Sequence, residues 1–232
     1  MNSNNKLARA AGLLYLIVII TGGFAEAFVR EGLTVSGNAV ATAQNILGSE
    51  QMYRYGFVAD LVCILCGTFL SIIFYILFKP VNKHLSLLAL IFSIVAGAVM
   101  AVNLLNQLAP LLLLHNASYQ KTFSIDQLQT LSLFFLNLQS QGYGISLFLF
   151  AFYFPIIGYL VYRSNFLPRI LGVIYTLAGV GYLMNSLAMF LYPQLLAYLF
   201  PYSLLPAFIG EVSMSLWLIA KGVKVPKLEN QE

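Results

Sequence analysis

Apolar residues in this chain fall into six long blocks, near residues 8–28, 56–78, 86–108, 142–162, 168–191 and 204–220. Each holds about 20 residues, enough for a helix rising 1.5 Å per residue to cross roughly 30 Å of hydrocarbon. Between the blocks lie segments richer in polar residues, short on one side and longer on the other. The pattern predicts six spanning helices in a single membrane domain, 1–232, whose last residues, 221–232, form a short tail. Composition agrees: 60% of residues are hydrophobic and 9% are charged, against about 45–50% and about 25% in soluble domains. A water-soluble fold of this size could not hide that much apolar surface. The predicted fold class is therefore an all-α integral membrane protein, a bundle of six transmembrane helices.

Orientation follows from the basic residues, which favour the cytoplasmic side. Lys6 and Arg9 precede helix one, Lys79 and Lys83 join helices two and three, Arg163 and Arg169 join four and five, and Lys221, Lys224 and Lys227 follow helix six. Those nine lie at one end, and only Arg30, Arg54 and Lys121 lie at the other. Both termini are therefore predicted to be cytoplasmic, with the chain in the cell (plasma) membrane. The net charge of +4 and pI near 9.0 then serve topology and anionic headgroups. Membrane lipids are the expected partners, no nucleic acid is implied, and self-assembly is open. A second reading exists for the start: the basic residues, apolar run and Ala25-Glu26-Ala27 imitate a cleavable secretory signal. The run continues through Phe28 and Val29, and that length favours a retained helix.

The cytoplasmic links, "KPVNKH" and "RSNFLPR", are short and make helices two and three, and four and five, antiparallel neighbours. The outer links are longer. "NAVATAQNIL" reads as a short amphipathic helix capped by Asn38. In "SIDQLQTLSLFFLNLQS", Ser124 and Gln127 have capping-box spacing, which predicts a helix lying along the outer interface. "YPQLLAYLFPYSLLP", with its prolines and tyrosines, suits the headgroup zone. These segments either pack over the bundle or roof an outward-facing site.

Ionisable groups inside the spans are expensive, and by default each raises a question of function. Seventeen residues from Arg9, Ser86 and Pro168 lie Glu26, Asn103 and Asn185, each roughly 25 Å along its helix. Asp60 and Glu211 follow the outer ends of helices two and six by four and five residues. The five form a belt at one depth of the outer leaflet, with Asn106 and Gln107 at its rim and Arg30 and Arg54 as cations in reach. Glu26 and Arg30 have the i, i+4 spacing of a local pair. Asp60 is ionised if Arg54 or Arg30 folds over it, and neutral otherwise; Asp60, Cys63 and Gly67 also make a small-residue stripe suited to close helix packing. The belt lines a ligand site or simply holds helices together, at about 0.6 kcal/mol per polar contact.

Other motifs carry less. Cys63 and Cys66 form a C-x-x-C on helix two, too few ligands for zinc and more consistent with small core residues than with a redox pair. His84 and His115 fall at opposite ends. No metal-protease, serine-hydrolase or phosphate-loop motif is present, so neither a metal nor a cofactor is predicted. Glu26 to Arg30 has the ExxxR spacing of membrane CAAX-type proteases, with Ala25 where those carry a second glutamate. Asn116-Ala117-Ser118 is a glycosylation sequon, meaningful only in a secretory pathway. Arg9-x-x-Gly12-x-x-Tyr15 matches Arg169-x-x-Gly172-x-x-Tyr175, and helix three echoes it with Ala89, Phe92 and Asn103, which suggests three related hairpins or chance similarity.

The blocks "ARAAGLLYLIVIITGGFAEAFVR", "YGFVADLVCIL", "FKPVNKHLSLLAL", "RSNFLPRILGVIY" and "GEVSMSLWLIAKG" together resemble an uncharacterised bacterial membrane family, domain of unknown function 4386. The resemblance covers nearly the whole chain. It implies a multi-pass membrane protein that keeps helix one, with Asp60, Glu211 and Trp217 as family features, and no substrate or catalytic residue.

Three functional readings follow. One is a protein that binds a small polar ligand or a lipid headgroup in an outer-leaflet polar cavity, with Glu26, Arg30, Arg54, Asp60, Asn103, Gln107, Asn185 and Glu211 as its binding residues. Another is an intramembrane enzyme using Asp60 and Glu211 as acid and base, less favoured because no nucleophile accompanies them. The last is a purely structural membrane protein.

Overall fold

The computed structural model describes residues 3–223, and among them every regular element is helical. Six helices are long and apolar enough to cross a membrane: Asn4–Leu33, Glu50–Phe78, Lys83–His115, Ile125–Arg163, Arg169–Leu191 and Tyr202–Ala220. Numbered one to six, each packs against its neighbours in sequence, and helix one also packs against helix six. The bundle is thus a closed ring. Val223 donates its N–H to Asn5 Oδ1 at 3.2 Å, which ties the two ends of the described chain at the basic end of the ring. Lys224 and Lys227, and with them most of the predicted tail, lie outside the described residues.

At the basic end the ring is plugged by the main hydrophobic core, in which Phe74, Phe78, Phe154, Leu160 and Tyr175 are almost wholly buried. Phe154 packs on Tyr175 with ring centroids 5.1 Å apart, and Phe78 stacks on Phe166 at 5.8 Å. Aromatic packing of this kind adds about 0.5–1.5 kcal/mol per pair beyond area burial. The lipid-facing surface carries large exposed apolar side chains such as Leu13, Leu65, Val102 and Ile170, which suits a bilayer and would not suit water.

At the opposite end the helices overrun the predicted spans. Helix two begins at Glu50 and helix three runs on to His115. The short helix Ala39–Gly48 forms where Asn38 was predicted to cap it, with Asn38 Oδ1 accepting the Ala41 N–H at 3.0 Å. It packs on the outer stretch of helix four. Two small cores form there: Val29, Ile46, Tyr53, Leu111 and Leu136 in one, Ala43, Leu114 and Leu128 in the other.

The prediction of a separate interfacial helix beginning at Ser124 is corrected. Its capping box is present, but the helix continues without a break into helix four, 39 residues from Ile125 to Arg163. The polar stretch near Gln139 to Gly142 looked like a boundary. It is instead a packing seam, because Asn103 donates its amide to the Gln139 carbonyl at 2.7 Å and its side chain occupies the space a Cβ at Gly142 would take. With no proline there, polar residues alone do not end a helix.

Candidate functional site

Inside the ring, above the aromatic plug, is a cavity of about 290 Å³ lined by residues from all six helices. Four of the lining residues are glycines: Gly22, Gly23, Gly67 and Gly97. A Cβ added at Gly23, Gly67 or Gly97 would meet nothing within 4 Å. Glycine in a helix more often lets a neighbouring helix approach, as at Gly56, where a Cβ would strike Val29, and at Gly172, where it would strike Gly158 and Tyr162. Gly23, Gly67 and Gly97 have the opposite effect and leave space, while at Gly22 a Cβ would touch the Cys63 thiol of helix two. The stripe of Asp60, Cys63 and Gly67 is corrected at Gly67, which faces the cavity with open space before it, whereas Cys63 lines the cavity and also packs on helix one, its thiol donating to the Val18 carbonyl at 3.7 Å.

The wall is mostly apolar, with Leu147, Phe150, Phe154 and Phe208 among its residues. Its polar groups are two carboxylates, Glu26 and Glu211, four tyrosines, Tyr15, Tyr143, Tyr153 and Tyr182, and a few small hydroxyls. Tyr182 donates to Glu211 Oε1 at 3.2 Å, and among the described residues no cationic group pairs with Glu211. At the floor, the Ser71 and Ser93 hydroxyls share a hydrogen bond of 2.5 Å, and Tyr175 donates to the Tyr15 hydroxyl at 2.8 Å.

The mouth is organised by Arg30. Helix one widens into a π-helical segment from Ala25 to Arg30, a distortion that is frequent at functional sites. From it, Arg30 Nε donates to Glu26 Oε2 at 2.6 Å, and Nη1 donates to Asp60 Oδ2 at 2.8 Å on helix two. The guanidinium also sits over the Tyr143 ring, 5.6 Å from its centroid, as a cation–π contact requires. Beyond it lies a second, more polar recess of about 270 Å³, lined by Glu26, Arg30, Glu31, Thr34, Asn137 and Tyr143 among others. Glu26 and Tyr143 line both spaces, so the recess and the cavity adjoin at these two side chains.

The predicted belt does not converge on one cavity. Glu26 and Glu211 line the central cavity and Arg30 lines the recess. Asp60 is buried behind the mouth, 4% exposed, held by Arg30. Gln107 lies beside the same carboxylate, though neither its amide nitrogen nor its oxygen completes a hydrogen bond. The hydroxyl of Tyr53 donates to the Gln107 backbone carbonyl. Asn103 bonds to Gln139 and accepts from Asn106 at 2.9 Å, and Asn185 accepts from Ser203 at 3.1 Å. Both asparagines thus join elements in the way helix-bridging amides do. Arg54 does not fold over Asp60. It pairs with Glu50 at 2.7 Å on the outer surface, where His115 reaches the other Glu50 oxygen at 2.9 Å, because six residues along a helix carry it roughly 120° away from Asp60. Cys63 and Cys66 are both free.

The tyrosines and glycines of the cavity were not among the predicted site residues. Their signal was in the sequence, since Tyr153 and Tyr182 fall in mid-span, away from the interfaces where tyrosine ordinarily concentrates. Among the described residues, no three His, Cys, Asp or Glu side chains gather as a metal site.

Comparison with known proteins places the chain in a family. A family model described as a domain of unknown function, DUF4386, matches residues 10–222, and the chain belongs to that family. It is 27% identical over 176 residues to an "Uncharacterized protein" of Archaeoglobus fulgidus, an alignment that covers 75% of this chain and 88% of that relative. No solved structure matches.

Proposed function

We propose that this DUF4386 member binds a small molecule with a polar group, free or as a lipid headgroup, in its central cavity. In this reading it lies in the cell membrane among lipids with both termini in the cytoplasm, and the cavity opens through the recess toward the outside. The observation that supports the reading is a space of about 290 Å³ lined by all six helices, with two carboxylates in an otherwise largely apolar wall. Arg30 answers Glu26, but Glu211 has only a tyrosine hydroxyl as its partner among the described residues, and a carboxyl group at such a place is costly unless something answers it. A cavity near the lower end of ligand-site volumes, with few polar groups among aromatic walls, has the ordinary form of a small-molecule site. Glu26 and Glu211 contact the occupant; Arg30, braced by Asp60, fixes Glu26.

The test uses the full-length protein purified in detergent and three compounds of similar shape: benzyltrimethylammonium, neopentylbenzene and phenylacetate. Saturable binding of at least one by calorimetry, lost when Gly67→Leu and Gly97→Leu fill the space, is the expected result. If none binds wild type more tightly than the filled variant, the cavity is not a binding site and the reading falls.

A further inference from the structure

We infer that the occupant of the central cavity is an organic cation, an alkylammonium group on an apolar body, an inference that rests on the cavity being a ligand site. Charge comes first. Glu26, Asp60 and Glu211 stand in or beside the cavity, and the cation among them is Arg30, which is bonded to both Glu26 and Asp60. Three carboxyl groups against one guanidinium leave the set short of cations. Glu211 is the extreme case, with a tyrosine hydroxyl as its partner and no cation within the ring among the described residues. A buried carboxyl group without a counter-charge is driven to its neutral form; a cationic occupant supplies the missing counter-charge, whereas an anionic one would bring a further unpaired charge into the same space.

The wall then selects the kind of cation. Calcium or magnesium wants six or more oxygen ligands in a shell and zinc four nitrogen, sulfur or oxygen ligands, and no group of three His, Cys, Asp or Glu side chains forms among the described residues. The cavity that holds Glu211 is instead rich in aromatic side chains, Tyr15, Tyr143, Tyr153, Tyr182, Phe150 and Phe154, with Tyr182 in contact with Glu211. Aromatic faces attract ammonium and guanidinium groups, and cages of them recognise quaternary ammonium. The structure holds an internal example, since the Arg30 guanidinium already rests on the Tyr143 ring. The space left by Gly23, Gly67 and Gly97 accommodates the apolar body beside these groups.

The discriminating comparison is between benzyltrimethylammonium and its uncharged carbon analogue neopentylbenzene, titrated into full-length wild-type, Glu211→Gln and Glu26→Gln proteins. The cation should bind wild type at least about tenfold more tightly than the neutral analogue, and Glu211→Gln should remove most of that preference. Retained affinity for neopentylbenzene shows that each variant keeps its cavity. Equal affinity of wild type for the two compounds, or a preference untouched by both substitutions, would overturn the cation assignment while leaving a binding cavity. Binding of phenylacetate alone would likewise overturn the cation assignment, and binding of none of the three compounds would remove the cavity reading itself. Repeating the titration in phosphatidylglycerol nanodiscs with and without phosphatidylethanolamine separates the sources: competition by the latter marks a lipid headgroup, and its absence marks a free cation.

Discussion

Arg30 has more charged partners than any other side chain near the mouth. Its two bonds run to carboxylates on different helices, and Asp60 on helix two is nearly shielded from solvent. Deleting the guanidinium strands both acids at once, and removing one partner of a buried pair typically costs about 3–5 kcal/mol. Asp60→Asn is milder, because the amide oxygen still accepts from Arg30 and Glu26 still balances its charge. Thermal melts in detergent should therefore show a much larger loss of stability for Arg30→Leu than for Asp60→Asn, with the double variant recovering part of it. Equal losses would mean that the ion pair does not organise the mouth. Part of this was legible in the sequence. The i, i+4 spacing of Glu26 and Arg30 is a local property, and an aspartate inside an apolar run is conspicuous by cost. That Arg30, not Arg54, covers Asp60 depends on the π-helical turn, and an apolar pattern carries no mark of such a turn. The angular argument against Arg54 needed only its six-residue distance from Asp60.

Among elements, glycine divides the molecule into seams and space. Helices four and five meet where Gly158 and Gly172 bring backbone against backbone, since a Cβ on either would collide with the other helix's main chain. Around the cavity the same residue type leaves a gap. Glycine in a helix is less favourable than alanine by roughly 0.5–1 kcal/mol, a penalty that an open site has no packing reason to retain. Gly67→Ala should therefore leave stability unchanged or raise it by about that amount. Gly172→Ala should lower stability, because the added methyl meets the Gly158 carbonyl and the backbone of Tyr162. If Gly67→Ala proves the more damaging in a paired denaturation series, the assignment of seam and space is wrong. The sequence pattern supports the existence of all six helices but not this division, because a glycine's role depends on what faces it across the ring. The same limit explains helix four: polar residues at Gln139 to Gly142 resemble a boundary until Asn103, on another helix, is seen to bond there.

For the molecule as a whole, the closed ring gives the faint repeat a physical setting. In Arg9-x-x-Gly12-x-x-Tyr15, Gly12 abuts Leu218 and Ile219 of helix six; in its counterpart, Gly172 abuts helix four. Each glycine thus faces the preceding helix around the ring, and the two tyrosines meet at the cavity floor through their hydroxyls. Helix three behaves alike at its start, where Ser86 donates to the Tyr75 carbonyl of helix two at 3.0 Å. Three hairpins related in this way would place odd-numbered helix starts, and with them the basic residues, at one end. Lys6, Arg9, Lys79, Lys83, Arg163, Arg169 and Lys221 do bracket the helix ends on that side, while Arg30, Arg54 and Lys121 lie at the other. Since lysine and arginine near span ends are held on the cytoplasmic side, the plugged end should face the cytoplasm and the recess should face out. Reporter fusions after Lys83 and Arg169 should then report cytoplasm, and fusions after Ser49 and Lys121 the exterior. Reversal at two of these sites would invert the bundle, put the recess on the cytoplasmic side, and require that any cation reach Glu26 and Glu211 from within the cell.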